Sequence, residues 1–373
     1  MKLAAADIKK LLGLLDELAG AVEQLVLSGL TTASEATRQA LSQAFQEASR
    51  LKLLRLGSTL RAASDELGRF TRGDNAFSRG RLCFFLGRSW LLARGLAQAL
   101  RNEDEATFTR LLWTPPAQPV AKLDVVTLGV SKRVVANAFC AFEFRLRAVK
   151  AADPLAKGQR LIWSCVFPLK PGVAVPAEGF LHLPQKQKFA AIVFLEPKVL
   201  TLTKCLVAVD PGGLGRLTLT DASAVTEGKP FKSWNEFSTW DPAAALDRLR
   251  AHEPTPFDLE IELQEEVVFA DWNLEAEEGK ESDGDEDSLT LWGDGLPHAA
   301  VLPPGPEGKR LRQVLQKAAK EKRPPPLYGL MHYEKARLMV QPLALLGDRG
   351  PVHLQISNEK LDKAALLKAL SFT

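Results

Sequence analysis

Residues 113–119 read Trp-Thr-Pro-Pro-Ala-Gln-Pro, and the periodicity of the sequence changes across them. Proline cannot continue a helix and favours extended backbone, so three prolines within five residues predict a linker. Before this stretch apolar residues recur at three- and four-residue spacing, and after it apolar and polar residues alternate. The sequence therefore predicts a helical domain over residues 1–112, a proline-rich linker over 113–122 and a β-rich body over 123–373.

The first domain has the pattern of amphipathic helices. Leu11, Leu15, Leu18, Val22 and Leu25 fall on one face of a helix that ends near residue 29. Similar faces follow, separated by short glycine-containing turns. Regular helices joined by short loops predict an antiparallel bundle.

The β-rich body has the alternation expected of half-buried strands. Phe142, Phe144 and Leu146 alternate with charged residues, and further strand candidates follow, among them 180–183 and 190–195. No helical crossovers of ten or more residues lie between them, which favours antiparallel pairing. We therefore expect an α+β protein: a helical bundle, then a mostly antiparallel β-rich domain with a few helices, including one over 358–370.

Charge is segregated in the last third of the chain. Fifteen Asp or Glu and a single Lys lie between Glu253 and Asp287, whereas seven Lys or Arg and one Glu lie between Lys309 and Arg323. This pattern predicts an acidic loop over 273–288 and a basic helix, which suits docking better than chemistry. The candidate residues are Asp283, Asp285, Asp287, Lys309, Arg310, Arg312, Lys317, Lys320 and Arg323.

A second basic region lies in the helical domain, where ten Arg and one Lys occur between Arg50 and Arg101. Arginine binds phosphate in a forked geometry, so these residues are candidates for a nucleic-acid surface. The alternative is that they occupy polar positions of the bundle, where they pair with local acids or extend their charged ends to solvent. The candidates are Arg55, Arg61, Arg69, Arg72, Arg79, Arg81 and Arg88.

Three aromatic residues, Trp234, Phe237 and Trp240, recur at three-residue spacing before a helix that Asp241 caps. They are candidate anchors for a protein partner. The alternative is a plug that packs this helix onto the sheet.

No spacing in the sequence matches a catalytic, cofactor-binding or metal motif. Gly-x-Ser-x-Gly and His-Glu-x-x-His are absent, and the five histidines are dispersed. The acidic loop approaches an EF-hand register but carries Ser288 where glycine is required. Four scattered cysteines in apolar contexts predict buried thiols in a reducing compartment. No apolar stretch reaches the roughly 18 residues of a spanning helix, so we expect no membrane contact and a cytoplasmic location.

Three short segments carry a family resemblance: Leu27-Ser28-Gly29-Leu30, Leu53-Leu54-Arg55-Leu56-Gly57 and Arg79-Gly80-Arg81-Leu82. Residues 25–100 resemble in helical texture an accessory region of bacterial SWIM zinc-finger proteins. The Cys-x-Cys and later Cys-x-His of that family are absent, so zinc binding does not carry over. The resemblance implies a non-catalytic helical module in a multi-protein bacterial system.

These patterns together predict a non-enzymatic interaction or accessory subunit of a cytoplasmic bacterial multi-protein system, with another protein as its partner. A nucleic-acid-binding protein that uses the arginine-rich helices or the basic helix 309–323 is the alternative. A hydrolase assembled from residues distant in sequence is the third hypothesis. No cofactor is predicted, and the sequence assigns no oligomeric state.

Overall fold

A computed structural model describes residues 5–30, 35–74, 77–112, 117–135, 139–168, 176–184, 189–210, 213–251, 264–276, 289–303, 305–334 and 337–357. The chain forms two compact units, of which the first spans residues 1–115 and the second contains all the described strands. Helices come first and mostly antiparallel sheet follows, which confirms the predicted α+β class.

The first unit is helical. Its helices are α1 (Ala5–Ser28), α2 (Glu35–Arg50), α3 (Leu54–Thr71), α4 (Arg79–Arg101) and α5 (Glu105–Leu112). Helix α4 packs against α1, α3 and α5, and α2 packs against α3. The predicted apolar face of α1 is buried in this core, including Leu15 and Leu18. The side chain of Ser78 caps α4 by accepting a hydrogen bond from the Arg81 amide at 3.3 Å.

The second unit begins with a closed β-barrel. Its strands are β1 (Gln118–Val135), β2 (Phe139–Ala148), β3 (Arg160–Pro168), β4 (Lys198–Val209), β5 (Leu214–Thr218) and β6 (Ala224–Pro230). The order β1-β2-β3-β5-β4 closes through pairing of β1 with β4, and β6 adds to β4. All these pairs are antiparallel except β3 with β5. Two 3-10 helices, Ala177–His182 and Ala191–Leu195, connect β3 to β4 and pack side chains into the barrel core.

A second sheet follows a 3-10 turn, Trp234–Phe237, and helix α6 (Pro242–Ala251). Its elements are β7 (Glu265–Phe269), β8 (Trp272–Ala276), β9 (Leu289–Gly293), β10 (Leu296–Ala300), α7 (Pro306–Ala319), β11 (Leu327–Glu334), β12 (Arg337–Gly347) and β13 (Gly350–His353). The order is β7-β11-β12-β10-β9-β8, and β10 pairs with β12 in parallel. Only Ala270 and Asp271 separate the two edge strands β7 and β8, so the sheet curls round on itself.

The two sheets have one topology. In the second, β7 and β8 together take the place of the long strand β1, and β9, β10, β11 and β12 correspond to β2, β3, β4 and β5. In each, the third and fifth strands are parallel and the connection between the third and fourth strands is helical. This five-stranded Greek-key arrangement is the OB-fold. The second unit is therefore a tandem pair of OB-fold barrels.

The two barrels share an apolar interface. Val126 and Leu128, on the outer side of β1, pack in one cluster with Tyr328 and Leu343 of the second barrel. A β-bulge between Thr127 and Gly129 sets this contact. A Cβ atom at Gly129 would lie 2.6 Å from the Tyr328 ring, so this position requires glycine. The interface fixes the two barrels as one body.

Several predicted boundaries differ from the structure. Residues 118–122 of the predicted linker belong to β1, because this segment pairs with β4. Segments 180–183 and 190–195 contribute to 3-10 helices, because their apolar side chains fill the barrel core. Residues 273–276 of the predicted acidic loop form most of β8. The rest of that loop, 277–288, and the predicted helix 358–370 lie outside the described residues.

Candidate docking surfaces

The outer face of β2 and β3 in the first barrel is partly covered by the second barrel. This is the face on which OB-folds hold oligonucleotides and oligosaccharides. Two of its arginines, Arg145 and Arg147, are buried and meet Glu266 of β7. A guanidinium nitrogen of Arg147 lies 2.5 Å from a Glu266 carboxylate oxygen, and one of Arg145 lies 3.6 Å from the other. At the edge of this contact, Arg160 bonds to Glu265 at 3.0 Å.

The charges in this contact compensate one another. Burial alone raises the pKa of Glu266, but the charges of Arg147, Arg145 and Arg160 outweigh it and hold the pKa below its ordinary value. Arg145 also donates a hydrogen bond to Glu143 on its own strand. The carboxylates of β7 thus occupy the arginines that would otherwise attract an anionic ligand to this face.

The corresponding face of the second barrel is open. Alternation along β8, β9 and β10 turns one set of side chains outward, and we name it the Trp292 face: Asn273, Glu275, Thr290, Trp292, Pro297 and Ala299. Trp292 lies on the central strand, opposite Asn273 on one side and Pro297 on the other. Asn273, Glu275 and Pro297 are exposed, and Trp292 is half-buried. The face therefore presents an aromatic ring to solvent at its centre.

The single charged side chain of the Trp292 face is acidic. The Trp292 indole N–H donates to the Glu275 carboxylate at 2.6 Å, which orients the ring across the strands. None of the six side chains is cationic. Strand β8 leads into the segment 277–288, which carries seven Asp or Glu and one Lys and returns to the barrel at β9. Aromatic surface combined with carboxylates suits cations and disfavours phosphates.

A second exposed surface lies on and just after helix α7. Leu311, Leu315 and Ala318 bury the inner side of this helix in the core of the second barrel. The outer side is basic, and we name it the α7 surface: Lys309, Lys317, Lys320, Lys322 and Arg323. Within the described part of the chain, no carboxylate lies within 4.0 Å of any of these five cations. Arg310 and Arg312, also predicted, are half-buried on the same helix.

A charged cluster joins the first barrel to the start of α7. The Lys132 ammonium lies 2.9 Å from Glu178 and 2.6 Å from Glu307, and only 6% of its side chain is exposed. Glu178 also accepts a hydrogen bond from the Ser357 amide at 3.1 Å. These groups line a cavity of about 440 Å³. Because the lysine and the two carboxylates pair with one another, a structural role in linking the barrel to α7 explains the cluster.

The seven arginines of the predicted surface in the helical unit differ in their burial and pairing. Arg55 and Arg88 are buried, so these two side chains do not lie on the surface that the prediction required. Arg69 and Arg81 both pair with the buried carboxylate of Glu66. The exposed members are Arg61, Arg72, Arg79 and Arg81, of which Arg81 is the one paired with Glu66. The alternative interpretation, pairing with local acids within the bundle, applies to Arg69 and Arg81.

The predicted aromatic anchors do not lie together on an exposed surface. Trp234 and Phe237 are buried in the cluster between the barrels, and Trp240 packs edge-on against Phe269. They form the plug that the sequence offered as the alternative, because the barrel interface is apolar. The predicted acidic residues Asp283, Asp285 and Asp287 lie outside the described residues.

Sequence reasoning missed Trp292, although a signal was present. Asp294 and Gly295, with φ of 51° and 77°, form the two-residue turn between β9 and β10. Asp-Gly between alternating runs is a strong hairpin pattern. Recognition of that hairpin would have placed Trp292 on the outward side, since Leu291 and His298 point inward.

Comparisons with known proteins identify no family for the chain. No protein-family model matches it, and no curated protein matches it. The resemblance to the SWIM-associated helical region stays a prediction. Within the described ranges there is no group of three His, Cys, Asp or Glu side chains placed to hold a metal ion. No helix among the same residues is long and apolar enough to cross a membrane.

Proposed function

We propose that this chain is a non-enzymatic docking subunit whose second OB-fold barrel binds a cationic segment of a partner protein on the Trp292 face. The observation that carries the proposal is the half-buried indole of Trp292, which reaches solvent at the centre of a strand face that the described residues leave open. Placing the ligand on this face is an analogy at the level of the fold. The chemistry of the ligand follows from the side chains.

A basic peptide fits this face for two reasons. A guanidinium or ammonium group over an indole ring gains about 0.5–2 kcal/mol, depending on desolvation. Glu275 is exposed beside the ring and offers a carboxylate oxygen that is not engaged by the indole N–H. An aromatic residue amid smaller side chains is also the composition of a binding hot spot. Phosphates would meet the Glu275 charge on a face where none of the six side chains is cationic, so the face disfavours nucleic acid.

Binding of short labelled peptides tests the proposal. Fluorescence anisotropy would compare a twelve-residue Arg- and Lys-rich peptide with an acidic peptide of the same length, each added to the full chain. We expect the basic peptide alone to bind, and Trp292→Ala to weaken it about 5- to 30-fold, the loss of a hot-spot contact of roughly 1–2 kcal/mol.

The helical unit provides a matched control. Trp90 is also half-buried and also donates its indole N–H to a carboxylate, that of Glu23 at 2.5 Å. Trp90→Ala should leave peptide affinity unchanged. Equal affinity for the basic peptide in wild type and Trp292→Ala would refute the assignment of the face. If the basic peptide binds as expected, a photo-crosslinking side chain at Asn273 would identify the natural partner, because that position adjoins Trp292 across the strand pair.

A further inference from the structure

We propose that the α7 surface binds the phosphate backbone of nucleic acid, at a site separate from the Trp292 face and independent of its ligand. The five cations lie within fifteen residues that contain a single acid beyond residue 307, Glu321. Elsewhere in the chain many exposed cations have acidic partners, as Arg101 has in Asp16 at 2.6 Å and Lys157 has in Glu236 at 2.8 Å. Among the residues that the structure describes, nothing within ion-pair distance compensates the positive charge of the α7 surface, which lies over one side of the barrel.

The cations are held on a rigid support. Gly308 lies so close to the Pro303 carbonyl that a Cβ atom would be 2.0 Å from its oxygen, which fixes the start of α7. Leu311 and Leu315 anchor the helix in the barrel core. Beyond the helix, the Trp272 indole donates to the Pro325 carbonyl at 2.8 Å and fixes the exit of the chain. Binding therefore needs only side chains to become ordered, not the backbone.

The spacing of the lysines suits a run of phosphates. At 100° per residue, Lys309, Lys317 and Lys320 fall within about 80° of one another around the helix. At 1.5 Å per residue, Lys309 and Lys320 are about 17 Å apart along its axis. Duplex DNA carries one charge per about 1.7 Å, so this length overlays several phosphates of either strand.

The surface fits a nucleic acid better than an acidic protein. From Lys309 to Arg323 every exposed side chain is polar or charged. Protein interfaces depend on buried aromatic and aliphatic anchors, whereas phosphate contacts require only positioned cations and hydrogen-bond donors. The Trp292 face has such an anchor and the α7 surface has none. We therefore infer contact with the backbone and no reading of base sequence.

Salt-dependent binding tests the site. Fluorescein-labelled 24-nucleotide single-stranded DNA and a 24-base-pair duplex would be titrated with the full chain at 50, 100 and 200 mM NaCl. With five phosphate contacts, the slope of log K against log salt should be about −3.5 for the single strand or −4.5 for the duplex. Lys309→Gln, Lys317→Gln and Lys320→Gln combined should make the slope shallower by about 2–3 and weaken binding at 50 mM NaCl at least tenfold.

A variant with the same net charge is the control. Lys122, Lys229 and Lys232 are exposed on the first barrel and just after β6, and their combined change to Gln should leave DNA affinity within about twofold of wild type. Circular dichroism would verify that both triple variants are folded. No binding of either DNA at 50 mM NaCl, or equal losses in the two variants, would overturn the proposal. Preferential binding of poly-glutamate over DNA would also overturn it and assign the surface to an acidic protein.

Discussion

The contact between the two barrels predicts a large effect from a change that removes a single charge. In Glu266→Gln, the buried guanidinium of Arg147 loses its carboxylate partner, and Arg145 keeps only Glu143. The Glu266 side chain is 3% exposed and that of Arg147 is 11% exposed, so water cannot replace the missing charge. Removing one member of a buried ion pair costs about 3–5 kcal/mol. We expect a loss of that size in the free energy of unfolding of the barrel unit.

Thermal unfolding of the full chain, followed by near-ultraviolet circular dichroism, would measure the loss. For a domain of about 150–250 residues, each kcal/mol lowers Tm by about 2–4 °C, so Glu266→Gln should lower it by about 6–20 °C. Glu227→Gln is the matched control, because Glu227 pairs with Lys198 at 2.8 Å but both side chains are partly exposed. That pair should be worth at most about 1 kcal/mol.

The pH dependence of folding stability is a second test of the same prediction. The pKa of Glu266 is lowered in the folded state from its ordinary 4.5, because the arginine charges outweigh the effect of burial. The stability that Glu266 contributes is therefore fully present above pH 4.5 and is lost as pH falls through the lower, folded pKa. The difference in Tm between wild type and Glu266→Gln should narrow over that acidic range.

A double variant separates charge from packing. Replacing both Arg147 and Glu266 by methionine and leucine leaves no unpaired charge between them, and most of the lost stability should return. A Tm for Glu266→Gln within about 2 °C of the Glu227→Gln value would refute the reasoning. It would mean that the ion pair adds nothing to the apolar interface between the barrels.

Three further predictions concern the packing and protonation of buried groups. Gly129→Ala should destabilise the barrel unit by about 1–3 kcal/mol in urea unfolding, because the new methyl group would clash with the Tyr328 ring. Gly87→Ala is the control: open space surrounds this position, so the change should stabilise α4 by up to about 1 kcal/mol. Burial lowers the pKa of His353 to about 4, so wild-type stability should fall as pH is lowered from about 6.5 towards 4, and His353→Gln should reduce that slope in pH-dependent thermal melts. Disulfide-exchange labelling of the native chain should modify the exposed Cys83 rapidly and the three buried cysteines only after denaturation, and four fast thiols in the native protein would contradict the structure.

Local patterns determined much of the fold. The α1 face of Leu11, Leu15 and Leu18 is buried as its spacing predicted, because 3.6-residue periodicity needs no knowledge of the partner helix. Alternation in β2 placed Phe142 and Phe144 inside the barrel for the same reason. A basic helix was also predicted, and α7 spans Pro306–Ala319, so it ends before the predicted residues Lys320 and Arg323.

The candidate sites were less predictable, because a side chain that points away from its own barrel core can still be buried by another part of the chain. Arg145 and Arg147 alternate with core residues and are expected to be wet, yet they are buried against Glu266. Their partner lies more than one hundred residues later in the sequence, so no local pattern could have paired them. Trp234 illustrates the same effect, since its spacing suits an anchor but a second barrel covers it.

The sequence by itself determined the α+β class, the periodicity of most helices and strands, and the separation of acidic from basic segments. Only the tertiary structure decided that the strands close into two barrels of one topology and that one barrel's face is covered while the other is open. The physical reason is that strand order and burial depend on pairing between segments distant in sequence. Packing of the whole unit decides which segments pair. Charge segregation led to the docking hypothesis, and the fold shows which candidate groups reach solvent, among them Trp292 and the cations of the α7 surface.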